Sequence, residues 1–431
     1  MTTPDLGRST VRWVGVLYVG CLLLQRFAVP GLPVALILPF VLLGAAWGVV
    51  FGLVEFNKAR LVAWLLAASA TAFMLVMQTV LLDRHLVSLG SWALFMTVWM
   101  PFTLQLVDRR VQTYLSLLRV VVASTAVLAA GCLVMMATQY AGLLYQDWLA
   151  EIVPASWLLQ DFVITYPVSY DSPIYRANAW IGLEPSMVSL QMGVGLVSAL
   201  LIGARPWTIA LLFGGLVAAT SGSGLAVLVV ALVVLVASPA RRQLRRYVVP
   251  GAIVLALGLG SPFGQSIVSR LGEGTSEQSS TSLRAIYPYQ YLWPDWAADL
   301  SGVLFGFGPS SSQTLAEQSG ILGLLVPTPI KIFYDYGLLA GGVLAAMILL
   351  CFVGGHSRAV AVSLLVSLWT LQPGTTTILV VVPVLLLVTW WSPRPSVLAL
   401  EDAPDPNTDF EGRSGLPPGN HPGPARRQVR A

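Results

Sequence analysis

The residues with the clearest chemical potential are a few bases in two long connections, 140–181 and 263–326. The first connection carries Asp147, Glu151, Asp161 and Asp171 but a single base, Arg176. The second carries Arg270 and Arg284, and Lys331 follows at the start of the next apolar block. A guanidinium is a planar fork that holds phosphate oxygens two at a time and stays charged at any working pH. Capture of an anionic headgroup is one use for such bases. Pairing of each with a nearby carboxylate is the other. Glu184 stands out for a different reason. It lies in Ile181-Gly182-Leu183-Glu184-Pro185-Ser186, at the mouth of an apolar helix, where an ionisable group is costly. It can act as a functional carboxylate, complement the positive N-terminal end of that helix, or do both.

Other chemistries lack their residues. No Gly-rich phosphate loop of the Walker type is present. Cys21, Cys132 and Cys351 are far apart inside apolar blocks, so neither a metal-ligand spacing nor a disulfide framework is expected. The long connections hold no acidic metal-binding triad, and nothing points to nucleic acid. No cofactor is expected.

The elements that must position these residues are membrane spans. Hydrophobic residues make up 56% of the chain and charged residues 10%, and the mean hydropathy is +0.76. A soluble domain carries about 25% charged residues. The apolar residues come in blocks of roughly 17–25, the length a helix needs to cross about 30 Å of hydrocarbon. Backbone groups in lipid must be satisfied internally, so these blocks are helices. The expected fold is therefore an all-α polytopic membrane protein. About twelve spans are expected, near 12–28, 32–54, 60–83, 88–107, 113–137, 182–202, 206–220, 223–239, 247–262, 327–353, 359–373 and 375–391.

Charge sets the orientation. With the N-terminus in the cytoplasm, Arg8, Arg12, Lys58, Arg60, Arg109, Arg110, Arg205, the 241–246 cluster and Arg358 all fall inside. Both termini are then cytoplasmic, and the two long connections lie on the outer face. Residues 1–392 form the membrane domain. Residues 393–431, rich in Pro, Gly, Asp and Arg, are expected to be a disordered cytoplasmic tail. Aromatics such as Trp148, Trp157, Tyr166, Tyr287 and Trp293 suggest that the outer loops are ordered and lie along the membrane surface.

Four patterns in order resemble the O-antigen ligase/polymerase family of bacterial inner membranes. The first is Arg176-Ala177-Asn178-Ala179-Trp180-Ile181-Gly182-Leu183-Glu184-Pro185-Ser186. The second is Thr220-Ser221-Gly222-Ser223-Gly224 between two short spans. The third is Arg284, an aromatic run and then Leu304-Phe305-Gly306-Phe307-Gly308-Pro309. The fourth is Phe333-Tyr334-Asp335-Tyr336-Gly337-Leu338-Leu339. The resemblance covers about 170–355. It implies a metal-independent glycosyltransferase that moves glycan from a polyprenyl-diphosphate carrier to an acceptor glycan on the outer face of the cytoplasmic membrane. Lipid-linked oligosaccharide, membrane lipid and a chain-length regulator are the partners it implies.

In that reaction Arg176 and Arg284 would hold the diphosphate, with Arg270 and Lys331 as helpers, because positive charge stabilises the leaving group. A general base would activate the acceptor hydroxyl. Ligases of the family use a His late in the large loop, whereas this chain has only His85, His356 and His421. The polymerase branch therefore fits better, with Glu184 as the candidate base and Asp295 and Glu317 behind it. A transporter or flippase of lipid-linked sugars shares the span layout but should place its charges near the bilayer midplane. A membrane scaffold would leave the outer Arg residues without a role.

Overall fold

The apolar blocks become helix almost throughout the computed structural model. It describes residues 3–32, 34–160, 164–168, 172–241, 244–245, 247, 251, 282–321, 324–370 and 378–391. The expected span at 247–262, Arg270, His421 and the tail at 393–431 lie essentially or wholly outside the described residues.

Helices α1 (Thr3–Leu23), α2 (Ile37–Val50), α3 (Lys58–Val76), α4 (Leu89–Trp99) and α5 (Val111–Tyr140) come first. Short α6 (Trp148–Ile152) lies in the first long connection. Then come α7 (Pro185–Leu201), α8 (Pro206–Ala218) and α9 (Gly222–Ala237). Four short helices build the described part of the second connection: α10 (Tyr287–Tyr291), α11 (Trp293–Ala298), α12 (Leu300–Phe305) and α13 (Ser311–Gln318). Helices α14 (Thr328–Leu350), α15 (Arg358–Thr370) and α16 (Ile378–Val384) follow.

Three stretches are long and apolar enough to cross a membrane: Lys58–Leu81, Val111–Tyr140 and Thr328–Leu350. Several other helices are equally apolar but shorter. Large side chains such as Leu43, Val50, Phe73, Val80 and Val127 remain exposed on the helix flanks. An apolar exterior of that kind belongs in lipid, and the protein is membrane-embedded.

Helix starts follow local chemistry. Asn57 accepts from the Arg60 amide at 3.1 Å to cap α3, and Ser88 accepts from the Ser91 amide at 3.1 Å to cap α4. Pro185 and Pro206 open α7 and α8, where a missing N–H costs nothing. Two expected spans are shorter than the hydropathy suggests. The block 32–54 yields helix only over Ile37–Val50, and the block 88–107 yields it only over Leu89–Trp99 before Pro101. Their remaining ends pair as a small antiparallel ladder, β1 (Val54–Phe56) with β2 (Leu104–Leu106).

Helix α7 is buried on every side from Pro185 to Leu200 and forms the axis of the bundle. Small residues let neighbours approach it. A Cβ on Gly193 would stand 2.6 Å from the Gly224 carbonyl oxygen of α9, and one on Gly195 would strike Thr125 of α5.

Hydrogen bonds sort the chain into two ends. At one end Leu106 donates to the Trp390 carbonyl at 2.8 Å, Arg60 donates to the Thr389 carbonyl, and Arg109 pairs with Glu55 at 2.7 Å. Arg8, Arg12 and Arg110 gather there as well, and Tyr247 reaches the Ala204 carbonyl beside Arg205. This is the basic end. The described parts of the two long connections fold over the opposite end.

Candidate functional site

The Arg176–Ser186 segment is built into the loop end of the bundle by polar side chains of three helices and the links between them. Gln139 of α5 clamps Tyr175 from both sides, donating to its carbonyl at 3.1 Å and accepting from its amide at 2.7 Å. The Arg176 amide donates to the Tyr166 carbonyl at 2.9 Å, and its guanidinium lies over the Tyr166 ring, 5.7 Å from the centroid. Buried Asn178 donates to the carbonyls of Ile164 and Gly182 at 3.2 and 3.3 Å and accepts from the Trp180 amide. That network holds Ala179 and Trp180 at φ values of +54° and +59°, a region non-glycine residues seldom occupy.

Arg26, just past α1, supports the same turn. It is bidentate to Asp147 at 2.7 and 2.6 Å and also donates to the Trp180 carbonyl at 3.1 Å. Burial pushes the Asp147 carboxyl up, but the bonds and charge of Arg26 outweigh it and hold the group below the ordinary carboxylate range. Glu184 follows at the N-cap of α7, half-buried, accepting from the Ser186 hydroxyl at 2.9 Å rather than from its own helix amides. The first and second sequence patterns meet here. Ala177 donates to the Ala218 carbonyl at 3.1 Å, and the Ser189 hydroxyl links the Ser221 carbonyl and the Gly224 amide.

The third and fourth patterns meet on α14. Gly337, at φ +69° and ψ 180°, breaks that helix and frees two carbonyls. The Phe307 amide donates to the Tyr334 carbonyl and the Gly308 amide to the Asp335 carbonyl, each at 2.9 Å. Gln78, on a π turn at Met77–Leu81 that continues α3, donates to the carbonyls of Phe305 and Asp335 at 2.6 and 2.8 Å. Irregular backbone at membrane depth survives only when its polar groups are satisfied in this way. A Cβ on Gly306 would lie 2.5 Å from both the Asp335 oxygen and the Gly337 nitrogen, so this crossing requires glycine.

Asp335, fully buried, ties the rest together. Its carboxylate accepts from Lys331 Nζ at 3.1 Å, the Ser310 and Ser312 amides at 3.1 and 2.9 Å, and the Ser311 hydroxyl at 3.2 Å. Near the surface, Arg84 pairs with Asp299 at 2.7 Å and covers the Phe307 ring at 4.5 Å. The bonds from Arg84 and Ser301 pull the Asp299 carboxyl down to about 2.

The expected site residues therefore divide. Arg176 and Glu184 share one braced turn. Lys331 is 9% exposed and spends its charge on Asp335, which corrects its expected place beside the surface Arg residues. The pair places two charges within α14, one of the three span-length apolar helices. Arg284 lies on a π turn, Ser282–Ile286, whose backbone accepts at Leu283 from the Leu325 amide at 3.2 Å. Arg270 is outside the described residues. Asp295 and Glu317 are exposed, the latter bonded to Gln313 at 3.1 Å. His85 is exposed near Asp83, and His356 is buried at the basic end between Tyr114 and Trp391, where burial pulls its imidazole down.

Arg26, Gln78, Arg84 and Asp335 do work that the sequence reading passes over. Of these, only Asp335 carried a local signal, its position four residues after Lys331 on one helix. Among the described residues no group of three or more His, Cys, Asp or Glu side chains could hold a metal ion. Comparison of the chain with protein families, with curated proteins and with solved structures finds no match to any of them.

Proposed function

We propose that the protein is a polysaccharide polymerase-like glycosyltransferase of the bacterial cytoplasmic membrane. It takes glycan from a polyprenyl-diphosphate carrier and passes it to an acceptor glycan on the outer face. In this reading the basic end is cytoplasmic, about twelve spans cross the bilayer, and the two long connections lie outside.

The observation that carries the reading is the braced turn from Arg176 to Glu184. It presents a guanidinium and a carboxylate eight positions apart on backbone held by Arg26, Gln139 and Asn178. A leaving diphosphate needs fixed positive charge that does not reorganise as the bond breaks. Arg176 supplies it in this proposal, and Arg284 adds to it from the second connection. Glu184, already a hydrogen-bond acceptor, is placed to take the proton of an incoming hydroxyl.

The test is the size distribution of surface glycan in a deletion strain complemented with wild type, Arg176→Ala, Arg284→Ala or Glu184→Gln at matched protein levels. A ladder restored by wild type and reduced to single repeats in both Arg variants supports the reading. A ladder unchanged by the deletion overturns it.

One observation favours transport of lipid-linked sugar instead. The broken helix α14 and its buried Lys331–Asp335 pair are the kind of feature that transporters place within the membrane. Four donors already satisfy Asp335 in this conformation, which fits a structural tie better than an open ion site. Uptake of labelled lipid-linked sugar into proteoliposomes, abolished by Asp335→Asn with the ladder enzyme chemistry absent, would bring that reading forward.

A further inference from the structure

At the basic end, the first turns of α1 and α5 stand apart enough to leave a cavity of about 410 Å³. Arg8 and Arg12 line it from α1, Arg110 from the link before α5, and Gln112, Thr113 and Ser116 from α5. We propose that this cavity binds the phosphate of an anionic phospholipid headgroup of the inner leaflet. The proposal rests on the basic end facing the cytoplasm and is independent of glycan transfer.

Arg110 is committed to Asp108 at 2.8 Å, and the Thr113 hydroxyl donates to the same carboxylate at 2.8 Å. Burial raises Asp108, but these bonds overcome it and keep the carboxyl below its ordinary range, so this acid is already occupied. Among the residues whose side chains are described, no carboxylate pairs with Arg8, Arg12 or Arg119. Gly7 shapes the floor, since a Cβ there would collide with the Arg110 guanidinium and sit 2.9 Å from Asp108.

Two helical faces then oppose each other. Arg8 and Arg12 are four apart on α1, and Gln112, Ser116 and Arg119 follow the same stripe on α5. Arg119 distinguishes a lipid from a soluble anion. It is exposed on the flank of a span-length apolar helix, roughly 12 Å along from its start at 1.5 Å per residue, and its guanidinium leans on Ser116 Oγ at 3.5 Å. A charge on that flank reaches toward the interface, where phosphates of lipids are its natural partners. Val11 completes the wall with an apolar surface suited to the glycerol and upper acyl region.

The full chain, purified and stripped of lipid in detergent, is titrated with phosphatidylglycerol and with phosphatidylcholine and read by native mass spectrometry. One tightly held phosphatidylglycerol, with phosphatidylcholine bound far more weakly, is expected. Arg8→Gln with Arg12→Gln should weaken phosphatidylglycerol about 30-fold, and Arg119→Gln about five-fold. The pair Arg8→Lys with Arg12→Lys, which retains the charge, should keep most of the binding and shows that the fold tolerates change there. Arg205→Gln with Arg241→Gln, elsewhere at the same end, should leave it unchanged. Equal binding of the two lipids, or equal losses in the control pair, overturns the site. Complete displacement by millimolar inorganic phosphate overturns the lipid and assigns a soluble phosphate instead.

Discussion

The two long connections are fastened to one end of the bundle by opposite means. The first is held chiefly through its backbone: Gln139 of α5 reaches Tyr175, and Arg26, just past α1, reaches the Trp180 carbonyl. Its apolar residues Val168, Ala177 and Ala179 join the main core. The second packs a separate small core, in which its Leu292, Trp296, Ala316, Leu324 and Val326 meet Ile330 and Tyr334 of α14. Beyond that core it is tied to α14 by the Asp335 carboxylate, the glycine crossing and the stacking of Phe307 on Tyr334. The first connection is thus part of the bundle, whereas the second is a module docked on it. Under the proposed function, a fixed turn suits the positioning of charge, and a docked module suits the admission and release of a long glycan.

The comparison breaks most severely at Asp335. Asp335→Ala strands Lys331 as an uncompensated buried charge and removes the acceptor for two amides and a hydroxyl. A loss of about 3–5 kcal/mol is expected, measured as a collapse of thermal stability in detergent, with hydrogen exchange rising across 293–318. Arg26→Ala comes next. It removes two charge-assisted bonds and the tie to Trp180, at about 2 kcal/mol. Here exchange should rise across 174–184 and stay unchanged in the second connection. If both variants loosen both connections alike, the distinction between an integral turn and a docked module fails.

Gly337→Ala sharpens the contrast. It forces a side chain into left-handed backbone against the Leu304 carbonyl, costing about 1–3 kcal/mol, and should loosen only the docked module. The smallest effect belongs to Arg84→Ala, whose half-exposed pair with Asp299 is worth under ~1 kcal/mol. This contact carries a pH signature. The Asp299 carboxyl is depressed from 3.8 to about 2, so its contribution is full above about pH 4 and is lost as pH falls toward about 2. Limited proteolysis of the second connection over that window should accelerate in wild type but not in Asp299→Asn.

What the sequence makes legible follows from the range of each interaction. Helix and an apolar exterior are local properties of hydropathy and length, and they agree with the structure. The pairing of Gly306 with Gly337 is half-visible, since both glycines stand out in their patterns but nothing local says they touch. Asp335 is read as part of a pattern rather than as a buried charge, because Ser310 and Ser312 lie 25 and 23 residues away. Arg26 reads as the edge of a span because Asp147 is 121 residues on. The shortened helices α2 and α4 have the same origin: their ends leave helix to pair with one another as β1 and β2.

The fastening at the basic end has a consequence for how the chain is made. Trp390 stacks on Trp13 at 5.2 Å, accepts from Leu106, and donates to the Pro101 carbonyl 289 residues back, while Thr389 receives Arg60 across 329 residues. During synthesis these early partners emerge long before their counterparts exist. The first helices must wait in the bilayer with an open seam until the stretch around Thr389 and Trp390, made after every one of the helices, closes it like a keystone. A stop codon just before Leu385 would remove the last 47 residues of the sequence, including Thr389 and Trp390, and would release the earliest helices from the latest and mark the nascent protein for quality-control proteolysis.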